Sequence, residues 1–81
     1  MSGIGTTAIV EINQTANRYQ SSIVIHADNK YIDVKSILGL TLTLIRDELY
    51  RLDVHGPDET EAREAMKVVF EKHGLAVRFE V

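Results

Sequence analysis

Three stretches of this chain alternate apolar and polar side chains with a period of two, so each can bury only one face of a strand. In residues 22–34, Ile23 and Ile25 alternate with Val24 and His26, and Ile32 and Val34 return after Asp28-Asn29, a hairpin pattern in which Asn suits the φ > 0 position of the turn. From Leu49 to Val54, Tyr50, Leu52 and Val54 oppose Arg51 and Asp53. In the last stretch Val77, Phe79 and Val81 oppose Arg78 and Glu80. Four strands with one apolar face each need a helical layer on that face.

Three segments can supply it. The clearest spans Asp58 to His73, with Ala62, Ala65, Met66, Val69 and Phe70 at helical spacing, Gly56-Pro57-Asp58 as a start, acidic residues in the first turn and Gly74 as a stop. A short helix opens at Ser36, with Ile37, Leu40 and Leu44 facing inward. Thr6 to Gln20 sets Ala8, Ile9, Ile12, Ala16 and Tyr19 on one helical face, yet Thr7 to Ile12 is rich in β-branched residues and by propensity alone would be a strand.

Eighty-one residues make one domain, 1–81, with a single modest core. The formal charge of −3 supplies no basic field for nucleic acid or an anionic membrane. Without cysteine there is neither a disulfide framework nor thiolate chemistry, and with no apolar run near the roughly 20 residues of a membrane span and no signal segment, a cytoplasmic protein is expected. No internal repeat or linker interrupts the chain.

Residues able to carry chemistry are few. His26, His55 and His73 are scattered, with no i, i+4 pair and no local carboxylate to complete a metal set, so they are expected at the surface, without metal. Asp58, Glu59, Glu61 and Glu64 fall where a helix start favours negative charge. The segment Ser2-Gly3-Ile4-Gly5-Thr6-Thr7 gives Gly3, Gly5, Thr6 and Thr7 as an anion-binding candidate if a helix follows; the plainer reading is a terminus with Thr6 as the N-cap. Ser36 is either a helix-capping hydroxyl or a phosphorylation site at a helix N-terminus, where phosphate is electrostatically favoured. Ile37, Leu38, Leu40 and Leu42 exceed what one face of a short helix can bury, so Leu38 is expected to be exposed in an interaction patch.

The stretch Val34-Lys35-Ser36-Ile37-Leu38-Gly39-Leu40 resembles the centre of HPr, the histidine-containing phosphocarrier family of the bacterial sugar phosphotransferase system, and of its histidine-lacking Crh type. In that family a lysine-serine pair opens a short helix and the serine is a regulatory phosphorylation site. Ala16-Asn17-Arg18-Tyr19, Ser21, Ile23 and Ile25 resemble the first helix and second strand, Asp28-Asn29-Lys30 the hairpin turn, and Gly56-Pro57-Asp58-Glu59-Thr60-Glu61-Ala62 the start of the last helix. The register from Ser2 to Tyr19 has no gap, which favours helix for the ambiguous segment. The implied fold is α+β, a two-layer open-faced sandwich in which a four-stranded antiparallel sheet is covered on one face by three helices, in the order αββαβαβ.

Two departures from the family pattern stand out. Gly5 occupies the place of the phosphocarrier histidine, Thr7 that of the arginine and Ala8 that of the proline, and glycine has no nucleophile to phosphorylate. The family's first strand resembles Leu75 to Val81, so that Val77 to Val81 followed by Met1 to Ile4 would read straight through, as in a circular permutation. The resemblance implies a non-enzymatic regulatory or adaptor domain with no cofactor, regulatory phosphorylation at Ser36 and partner docking through Lys35, Ile37 and Leu38. The partners it implies are HPr kinase/phosphorylase and a catabolite-control transcription regulator. The alternatives are a scaffold without phosphotransfer role (a relic or an engineered permutant) and a small-anion-binding module at the first helix. The segment 75–81, following a Gly74 hinge, is a candidate for exchange in a strand-swapped homodimer.

Overall fold

The computed structural model describes residues 5–27, 30–43 and 49–79. Its elements run α1 (Thr6–Ala16), β1 (Ser22–Ala27), β2 (Lys30–Asp33), α2 (Ile37–Thr43), β3 (Tyr50–His55), α3 (Glu59–Lys72) and β4 (Val77–Phe79), the order expected. The strands form one sheet in the order β2-β1-β3-β4. Alternation decides its faces. Ile23, Ile25, Leu52 and Val54 point into the core, where Ile12 and Ala16 of α1, Leu40 of α2 and Ala62, Met66 and Phe70 of α3 meet them, all fully buried. Tyr50 lies against Phe70 with ring centroids 6.0 Å apart.

Thr6–Ala16 is a helix despite its β-branched residues because Ala8, Ile9, Ile12, Thr15 and Ala16 fall on one buried stripe. Packing of that stripe outweighs a propensity difference of a few tenths of a kcal/mol per residue. The helix stops at Asn17, short of the expected Gln20, and Tyr19 packs on the core from the turn that follows. Its N-cap is Gly5, without a side-chain cap, so Thr6 is the first helical residue and not the cap. In α2, Leu40 is buried as expected but Ile37 is 45% exposed, a correction to its inward placement. Leu38 lies on the side of the helix opposite buried Leu40, and Ile37, the first helical residue, is exposed although it is three positions from Leu40. Leu44, Val81 and the Asp28-Asn29 turn lie outside the described residues.

The sheet is mixed rather than wholly antiparallel: β1 pairs antiparallel with β2 and β3, but β4 runs parallel to β3. The reason is the path of α3. Fourteen residues of helix rise about 21 Å and carry the chain back towards the end of the sheet where β3 began. After the stop at Gly74 (φ 74°) the next strand sets out in the direction of β3, as in any β-helix-β unit. A strand merely moved from one chain end to the other would keep its antiparallel direction, so β4 takes the expected edge of the sheet but not the direction that a circular permutation implies.

The turn between α1 and β1 is locked to the start of α3 by Asp58. Its carboxylate accepts from the Gln20 N–H at 2.9 Å, the Ser21 N–H at 2.9 Å and the Ser21 hydroxyl. These bonds, the hydroxyl first, hold the Asp58 pKa below its ordinary 3.8. Lys72, then His73, does the same for Glu11, whose carboxylate joins α1 to the end of α3 through contacts of 2.8 Å to each. The Gly56 N–H, then Arg63, lowers Glu59. A carboxylate with a depressed folded pKa contributes stability above its unfolded value, and that contribution is lost as pH falls towards the folded one. The urea midpoint is therefore expected to hold from neutral pH down to the ordinary values of 4.5 and 3.8 and to fall below them. Asp58→Asn is expected to lower the midpoint at neutral pH and to flatten the acid fall; a midpoint constant through the carboxylate range would remove these contacts from the account.

Candidate functional site

The chain around Ser36 is held by α1. Asn13 Nδ2 donates to the Val34 carbonyl at 3.1 Å and Asn17 Nδ2 to the Lys35 carbonyl at 3.4 Å. Asp33 closes the turn, accepting the Lys35 N–H on Oδ1 at 2.9 Å and the Ser36 N–H on its carbonyl at 3.0 Å. The Lys35 ammonium reaches the Tyr19 carbonyl at 2.6 Å, which leaves the side chain half-buried. Ser36 then opens α2: its carbonyl accepts the Leu40 N–H at 3.0 Å and its Oγ the Gly39 N–H at 3.4 Å. The hydroxyl is thus a helix cap, and Ser36 is an exposed residue. Beside it Leu38 is 70% exposed, and Ile37 is exposed as well. An exposed serine, two exposed apolar side chains and a turn fixed by the seven hydrogen bonds named above are brought to one corner of the molecule.

Of the other candidates, Gly5, Thr6 and Thr7 are exposed at the start of α1, and Gly3 lies outside the described residues. The histidines are less isolated than their spacing suggests. His26 and His55 both face the Asp53 carboxylate on the open side of the sheet, His26 at 3.5 Å, and His73 binds Glu11. Sequence separation hid the His26–Asp53 and His73–Glu11 pairs, though not His55–Asp53, two positions apart; the β1–β3 register that sets His26 opposite Arg51 and Val24 opposite Asp53 is what assembles the first of them. Among the described residues no group of three His, Cys, Asp or Glu is arranged to hold a metal ion. No described helix is long and apolar enough to cross a membrane.

Residues 2–72 match the family model described as the PTS HPr component phosphorylation site, and the chain belongs to this HPr-like family. It is 42% identical over 60 residues to the HPr-like protein Crh of Halalkalibacterium halodurans, a match covering 73% of this chain and 71% of that one. The crystal structure of Crh from Bacillus subtilis, described as a domain-swapped intertwined dimer, superposes with a TM-score of 0.77 at 28% identity over 91% of this chain and 86% of that one. An HPr dimer from Thermoanaerobacter tengcongensis gives 0.75 at 30% identity over 86% and 82%. The family comprises phosphocarrier and regulatory proteins, not enzymes.

Proposed function

We propose that this chain is a regulatory adaptor of the Crh type, its residues 1–81 acting as one domain, which docks to protein partners through the corner around Ser36 and is switched by phosphorylation of that serine. The observation that carries this reading is exposed Ser36 flanked by exposed Ile37 and Leu38 on a turn clamped to α1. Gly5 stands where the phosphocarrier histidine belongs, which leaves regulation without carriage. Lys35 contributes chiefly by fixing the turn, because its ammonium is committed to Tyr19. By likeness to the family, the partners are HPr kinase/phosphorylase and a catabolite-control transcription regulator in the cytoplasm. The dimeric forms of Crh and HPr named above support a homodimer formed by exchange of β4 about Gly74.

Intact-mass spectrometry tests the phosphorylation. With HPr kinase and ATP one phosphate is expected, and Ser36→Ala should abolish it. With enzyme I and phosphoenolpyruvate no mass should be added. A phosphate that survives Ser36→Ala, or one added by enzyme I, would overturn the assignment.

A further inference from the structure

The open face of the sheet carries a continuous row of side chains that the regulatory reading leaves unused. Register sets Tyr31 beside His26, His26 beside Arg51 and Arg51 beside Arg78, one residue from each strand, and neighbours in register share a face. Tyr31 is 73% exposed and stands edge-on to His26 at 4.5 Å, while both arginines are exposed. Neither arginine has a carboxylate partner among the described residues.

The opposite side of the molecule carries the complement. On α3, Glu61, Glu64, Val68 and Glu71 are exposed, and their helical positions keep them within one stripe about 80° wide, turned away from buried Ala62, Met66 and Phe70. Val68 is 61% exposed. The spacings agree as well. Strands lie about 4.8 Å apart, whereas Glu61 to Glu64 rises about 4.5 Å and Glu64 to Val68 about 6 Å. A helix laid across the strands therefore sets Glu61 against Arg78, Glu64 against Arg51, and Val68 against the His26–Tyr31 pair.

We propose that the sheet face of one copy of this chain binds the outer face of α3 of a second copy, with Arg78 and Arg51 paired to Glu61 and Glu64. The two surfaces lie on opposite layers of the sandwich, so the contact is heterologous and open-ended: copies add head to tail rather than closing as a symmetric pair. An acidic protein surface fits the row better than nucleic acid does, because Asp33 and Asp53 lie in the next row of the same face and would repel a phosphate backbone. Rim-exposed ion pairs and one apolar contact make the association weak and sensitive to salt.

The test is sedimentation equilibrium of the full chain at low ionic strength over a range of concentrations. The weight-average mass is expected to rise beyond the dimer as concentration rises, and in about 1 M salt to fall back to no more than the β4-exchanged dimer of 9.1 kDa chains. Arg51→Ser/Arg78→Ser and Glu61→Gln/Glu64→Gln, each checked by circular dichroism for an intact fold, should each weaken self-association at least about tenfold. Mixed together, these two variants retain one intact surface each and should stop at a one-to-one dimer. A wild-type chain that stays monomeric throughout, or an association indifferent to both double variants as exchange of β4 would be, overturns the proposal. So does loss of association with the arginine variant alone, which would assign the row to a surface of the second copy other than Glu61 and Glu64.

Discussion

Gly56→Ala is expected to lower stability by about 3 kcal/mol, combining a disfavoured backbone with overpacking. Gly56 has φ +151°, a region that side chains disfavour, and a Cβ built there would meet Ser21 Cα and Oγ at 2.6 Å and Ser21 Cβ at 2.8 Å. Ser21 cannot step aside, since its N–H and hydroxyl are both held by Asp58. The added methyl must displace the junction of β1, β3 and α3 or break the Asp58 lock. For a chain of this length, whose whole stability is roughly 4–12 kcal/mol, that is a large fraction. Gly74 supplies the control: its φ of 74° is also left-handed, but no atom lies within 4 Å of a Cβ there. Gly74→Ala should therefore cost about 1 kcal/mol, from the backbone alone. Urea titration of the two variants checks the difference, and equal losses would contradict the packing argument.

Leu38→Asp is expected to weaken docking to the catabolite-control regulator at least about 30-fold, the effect of losing one central apolar anchor of about 2 kcal/mol. Its melting temperature should stay within a degree or two of the parent, because a side chain 70% exposed contributes little to the core. Calorimetric titration of both proteins against the regulator measures the first quantity and thermal unfolding the second. Unchanged affinity would remove Leu38 from the interface. Lost affinity accompanied by lost stability would mean that Leu38 packs in the core.

Much of this architecture was legible in the residues because alternation and helical spacing are local. Tyr50, Leu52 and Val54 declared their common face, and Ala62, Met66, Val69 and Phe70 theirs. Ser36 as a helix cap and Leu38 as an exposed neighbour were equally local, and the structure places both as expected. The direction of β4 was not legible from its own residues. Val77 and Phe79 alternate identically in either direction, and only the length of α3 and the place of its stop decide which way the strand returns. Nor could spacing reveal the contacts made across the fold. Asp58 to Ser21, Lys35 to Tyr19 and Glu11 to His73 join residues 37, 16 and 62 positions apart. Their effect is to tie successive turns to one another, and in the case of Lys35 to hold its ammonium at the Tyr19 carbonyl.

The measurement that most directly tests the central claim is a binding titration of the catabolite-control regulator with this chain, unmodified and phosphorylated at Ser36. Phosphorylation adds a charge of about −1.5 to −2 beside an exposed apolar corner and offers a basic partner three acceptor oxygens. The phosphorylated chain is expected to bind at least about tenfold more tightly, a gain equivalent to about one charge-assisted contact. Equal affinity of the two forms would show that Ser36 is a helix cap and no switch.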